Sequence, residues 1–200
     1  MKIKKWEIAL LAAIVITFLC GFTLNTNQKE LADKLIRLHV IANSDSAEDQ
    51  SLKLDVRDAV LKKLETALSG IEDRSAAVCV IEENIESVAS AAKKEILRQG
   101  YGYCVTAEIC YEMYPTRDYE TFSLPAGEYM SLKLTIGEGS GQNWWCVVFP
   151  PICSAPSIEA DSAVMNLTQD EVALITGENT GYVVKFKAME LFQKIKDIFK

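Results

Sequence analysis

The sequence predicts an α+β domain carried behind an export segment, and three observations support that reading. A run without charge, Ile8 to Leu24, follows a basic start. Two long stretches with apolar residues at helical spacing come next. After Gly102 the apolar period drops to two and holds to Phe149, the mark of consecutive strands. Helices followed by a block of strands belong to the α+β class rather than to alternating βαβ units.

The elements follow in chain order. Lys2, Lys4 and Lys5, the apolar run and the polar exit Asn25-Thr26-Asn27 have the layout of an export signal. At about 1.5 Å per residue the run also just suffices to cross a bilayer as a helix. Small residues at the usual cleavage positions before Asn25 are missing, so residues 1–27 are read as a signal peptide or a membrane anchor. Residues 28–200 are read as a single extracytoplasmic domain. Leu35–Ala42 sets Ile36, Leu38 and Val40 against Arg37, His39 and Ile41, a strand with one apolar face. Ser46 is placed to cap a helix, with Asp49 as a weak capping-box partner, and Gly70 ends it. A second helix spans about Ser75 to Gln99, with Ile81, Ile85, Val88, Ala92 and Ile96 on one face and Gly100 as its stop.

Strands are predicted over Tyr103–Met113, Tyr119–Leu124, Met130–Ile136 and Trp144–Phe149, joined by turns at Pro125-Ala126-Gly127 and Gly137–Gly141. Their order suggests an antiparallel meander of about four strands. Beyond it lie polar loop material, a short helix from Thr168, a strand at Tyr182–Phe186 and a C-terminal amphipathic helix on Met189, Phe192, Ile195 and Phe199.

Composition narrows the function classes. The 200-residue chain carries a net charge of −7, and it is more acidic still once its basic start is set aside. Such a body is repelled by nucleic acid and by anionic lipid, so no nucleic-acid partner is expected. The single histidine rules out a multi-histidine metal centre, and no cysteine pair has zinc-finger spacing. His39 reads as a half-exposed strand residue. Gly137-Glu-Gly-Ser-Gly141 lacks the Lys-Ser/Thr and the following helix of a phosphate loop, and reads as a hairpin turn. No pair of carboxylates stands out as a general acid and base. No cofactor, metal site or catalytic residue is therefore assigned, and the chain is not read as an enzyme. Cys146 and Cys153 bracket Phe149-Pro150-Pro151 and are a candidate disulfide, with two buried thiols as the other reading. Trp144 and Trp145 point to opposite sides of their strand, one into the core and the other under a helix or at an interface.

The segment Arg37–Asp58 is the most informative. Its corner, Asn43-Ser44-Asp45-Ser46, has more donors and acceptors than a turn needs. In the helix behind it, Asp49, Gln50, Lys53 and Arg57 fall within the apolar face set by Leu52, Val56, Val60 and Leu64. Asp49 and Lys53 are a favourable pair four residues apart, Lys53 and Arg57 an unfavourable one, and Asp45 is the nearest further anion. Two readings stay open for Asn43, Ser44, Asp45, Asp49, Gln50, Lys53, Arg57 and Asp58: an internal polar clamp, or a patch that meets a partner. Buried charge must be paired in either case.

Arg37–Asp58, together with Pro125-Ala-Gly-Glu-Tyr129, Ile136-Gly-Glu-Gly139 and Asn143-Trp-Trp-Cys-Val-Val-Phe-Pro-Pro-Ile-Cys153, resembles the stage II sporulation protein R family. The resemblance implies a secreted signalling protein of endospore formation. It would act in the space between forespore and mother-cell membranes, held to a membrane if residues 1–27 are not cleaved. Its implied partner is a membrane-bound aspartic protease of the mother cell, of the stage II sporulation GA type, which processes pro-sigma E. His39, Cys104 and Cys110 carry no family role. Rival classes are a cell-envelope thiol enzyme using Cys146 or Cys153, and a cell-wall binding module using Trp144 or Trp145.

Overall fold

The computed structural model describes residues 29–119 and 122–151. Residues 1–27, expected to be an export signal or anchor, Cys153 and the elements expected beyond residue 154 lie outside the described residues. Among the described residues no helix is long and apolar enough to cross a membrane.

The chain divides into two compact units. In the larger (Ala32–Glu112 and Glu128–Thr168), strand β1 (Ile36–Ile41) leads through the polar corner into helix α1 (Ala47–Leu68) and helix α2 (Arg74–Arg98). The Ser46 side chain accepts from the Asp49 amide at the start of α1, as its sequence position requires. Helix α2 is capped by Asp73, whose carboxylate accepts from the Ala76 amide, so the helix starts before Ser75. Gly70 and Gly100 close the two helices with φ of +77° and +86°, a conformation open to glycine and costly for other residues.

Strands β2 (Val105–Tyr114), β5 (Gly127–Ile136) and β6 (Asn143–Phe149) complete a four-stranded sheet in the order β2-β5-β1-β6. The α+β class stands, but the strands do not form a simple meander. β1 inserts between β5 and β6, parallel to the first and antiparallel to the second. The physical reason lies in its side chains. Arg37 and His39, expected on an open face, are buried, as are Ile36, Leu38 and Val40. A strand buried on both faces belongs in the middle of a sheet. The expected strand at Tyr119–Leu124 is also different. It is a two-stranded hairpin in the smaller unit, β3 (Arg117–Asp118) with β4 (Ser123–Leu124), where the Tyr119 and Phe122 rings stack at 4.5 Å and Ser123 Oγ donates to Asp118 Oδ1.

The core of the larger unit lies between the helices and one sheet face. Leu52, Val56, Val60 and Leu64 of α1 and Ala77, Ile81, Val88, Ala92 and Ile96 of α2 pack with Leu38, Val40, Leu132, Leu134 and Cys146. Register then places Trp144 opposite Val40 on this face, and Trp145 opposite His39 on the other.

Candidate functional site

The corner after β1 is a dense hydrogen-bonded joint. Asn43 has no apolar partner to seek, so its amide and carbonyl are taken up by polar neighbours. Its Nδ2 donates to Asp49 Oδ2 at 2.8 Å, and its Oδ1 accepts from the Glu138 amide at 3.1 Å. Ser44 Oγ donates to the same Asp49 oxygen at 2.6 Å, while the Ser44 carbonyl accepts from Gln50 Nε2 at 2.8 Å. Asp45 Oδ1 accepts from the Gln142 amide at 2.8 Å. Lys53 Nζ donates to Gln50 Oε1 at 2.6 Å and to the Gln142 carbonyl at 3.0 Å. The β1–α1 corner is thus bound to the β5–β6 hairpin, residues 137–142, which is remote in sequence. The Asn43 carbonyl accepts from Ser140 N and Oγ, and the Ala42 carbonyl from Gly141 N.

Six of the eight expected motif residues meet in this joint: Asn43, Ser44, Asp45, Asp49, Gln50 and Lys53. Their pairings differ from the expected ones. Asp49 turns to Asn43 and Ser44, not to Lys53. Asp45 acts on Lys53 only through its charge. The hairpin residues Glu138, Ser140, Gly141 and Gln142 are the part that sequence reasoning missed. The available signal was the glycine spacing of 137, 139 and 141, which marks close backbone approach as well as a turn.

The charges respond to this setting. Burial raises the Asp49 carboxyl, but hydrogen bonds from Ser44, Asn43 and Tyr103 outweigh it and hold the group below the ordinary aspartate value. Burial pushes the Lys53 ammonium below the usual lysine value. The Asp45 charge opposes that drop and the Arg57 charge adds to it. Because the folded Asp49 value is depressed, its contribution to stability is complete above the unfolded value of about 3.9 and is lost as pH falls through the folded value. Asp49→Asn is therefore expected to flatten the acid limb of the stability curve, read as urea midpoints between pH 6 and pH 3. An unchanged limb would mean that other carboxylates set it.

Arg57 and Asp58 sit one turn further along α1, away from the joint. Arg57 Cζ lies 4.6 Å from the centroid of the Trp144 ring, and its Nε and Nη2 both meet Asp58 Oδ1 at 2.7 Å. On the other sheet face Trp145 lies against His39, ring centroids 5.7 Å apart. His39 is buried, correcting the half-exposed expectation, because remote residues satisfy both its nitrogens: Nδ1 meets Glu112 Oε2 at 3.0 Å and Nε2 meets Asn143 Oδ1 at 2.9 Å. Lys133, the register neighbour of His39, completes the row with Glu112 and Glu108. Burial lowers its ammonium, but the two carboxylates more than reverse that and hold it above the usual value.

Cys146 is disulfide-bonded, and Cys79, Cys104 and Cys110 are free, so its partner is not among the described residues. Burial and the neighbouring Glu112 and Glu108 charges raise the Cys110 thiol. That disfavours the thiolate a nucleophile needs. No group of His, Cys, Asp and Glu side chains among the described residues is placed to hold a metal ion.

Comparison with known proteins gives a consistent result. A family model described as stage II sporulation protein R matches residues 32–159. The stage II sporulation protein R of Bacillus subtilis (strain 168) is 38% identical over 123 residues, covering 62% of this chain. The match spans 55% of that relative's length. No solved structure matches.

Proposed function

This chain belongs to the stage II sporulation protein R family, and on that premise we propose that it is an exported signalling ligand that activates a membrane-bound aspartic protease of the mother cell, leading to processing of pro-sigma E. The proposed place of action is the space between the forespore and mother-cell membranes, reached through residues 1–27. The catalytic aspartates in this scheme belong to the partner, and this chain acts by contact.

One observation supports the reading above others. The side chains of Asn43, Ser44, Asp45, Asp49, Gln50 and Lys53 are engaged with one another and with the 137–142 hairpin, so the joint offers a fixed shape rather than a reactive group. An acidic body with a rigid joint suits recognition. The rival classes have less support. A thiol enzyme would need a ready thiolate, whereas Cys146 is bonded and Cys110 is pushed up. A sugar-binding module would need a bare tryptophan face, whereas Arg57 lies over Trp144 and His39 against Trp145.

Co-expression in a non-sporulating host tests the proposal. The precursor is expected to be cut when chain, protease and precursor are all present, and to stay intact when this chain is omitted. Equal cutting without it would refute the proposal.

A further inference from the structure

We propose that Arg57, held over the Trp144 ring, is a receptor for a carboxylate side chain of the partner, and that Asp58 fills that place in the free chain. The inference deepens the ligand reading and rests on it for the identity of the partner.

The Arg57–Asp58 pair is an unusual resting state. Consecutive helical residues point in different directions, so they do not naturally face one another. Arg57 Nε donates to Asp58 Oδ1, and Nη2 makes its ion pair with that same oxygen rather than with Oδ2 in a parallel fork. A guanidinium forks best onto both oxygens of a carboxylate. The Asp58 side chain is 63% exposed and that of Arg57 21%. The anion is therefore wet and readily displaced, while the cation is set in place by the indole beneath it. An arginine ordered in advance loses less freedom on binding.

The surroundings specify the ligand's charge. Lys53 lies one turn back on the helix, but its ammonium is buried in the joint on Gln50 and the Gln142 carbonyl. Arg57 carries its positive charge on a chain whose net charge is −7, so with Asp58 displaced it draws an anion to this spot. Leu54, 39% exposed and three residues before Arg57, offers an apolar neighbour for the stem of an acidic side chain. The planar fork selects a carboxylate held in one orientation.

Acetate is the probe. The full chain in detergent is titrated with sodium acetate against sodium chloride at equal ionic strength, following the Trp144 indole N–H signal. A saturable acetate-specific shift is expected, reached at about tenfold lower acetate in Asp58→Asn and absent in Arg57→Lys. Equal shifts with chloride, or an unchanged response in Arg57→Lys, would overturn the receptor. So would concentration-dependent self-association abolished by Arg57→Lys, because the occupant would then be a second copy. In the co-expression assay at limiting chain, Asp58→Asn is expected to raise cutting, and Arg57→Lys to lower it about tenfold; unchanged cutting in Asp58→Asn would overturn the role given to Asp58. Loss of cutting in Asp58→Asn would make Asp58 itself the contact and overturn the proposal. If the unmodified chain supports no cutting at all, the ligand reading fails, and the acetate titration still decides whether the receptor exists.

Discussion

Lys53→Glu is expected to unfold the larger unit or come close to it. The Lys53 side chain is buried, and its ammonium donates to Gln50 Oε1 and to the Gln142 carbonyl, with the Asp45 charge nearby. A carboxylate there would face two acceptor oxygens and a like charge, with little water to relieve them. An uncompensated buried charge costs about 3–5 kcal/mol, a large part of the ~5–15 kcal/mol that holds a domain together. Urea denaturation followed by circular dichroism reads the loss. Lys53→Met keeps the stem and removes the charge, and should cost about 1–3 kcal/mol because acceptors are left unpaired. A loss below 1 kcal/mol in Lys53→Glu would mean that the joint does not depend on the ammonium.

Gly141→Ala tests the other side of the same joint. A Cβ at Gly141 would run into the carbonyl carbon and oxygen of Ser44 and come within 2.9 Å of Ala42 Cβ. Two of these atoms are backbone and cannot rotate away. Nor can the hairpin retreat easily, since Gly141 N donates to the Ala42 carbonyl and Gln142 N to Asp45. Overpacking of this kind costs about 2–3 kcal/mol. Gly102→Ala is the matched control, because nothing lies within 4 Å of a Cβ there. It should shift stability by less than about 0.5 kcal/mol. Equal effects at the two positions would show that the contact with Ser44 is not what requires glycine.

The fold was readable from the sequence where local chemistry decides it. Ser46, Gly70 and Gly100 marked the helix ends because caps and left-handed glycines act within a few residues. The central place of β1 was not readable. Its partners, β5 and β6, lie about a hundred residues on, and Arg37 and His39 looked like a solvent face until those strands were in place. Arg37 is covered in part by the Tyr129 ring, its Cζ 5.0 Å from the centroid, and His39 by Glu112, Asn143 and Trp145. The site was legible in the same uneven way. Helical spacing turned Lys53 and Arg57 toward protein. It did not separate their fates, because the hairpin that receives Lys53 and the indole that receives Arg57 come from distant strands.

Taken together, the joint is a rigid frame and the Arg57–Trp144 surface beside it is the proposed point of contact. The central claim is that the chain works from outside the membrane, by contact. The most direct measurement is precursor cutting in the three-component host, comparing the full chain with a form lacking residues 1–27. The account predicts cutting with the exported form and none with the leaderless form, although both accumulate. Undiminished cutting by leaderless protein confined to the cytosol would contradict it.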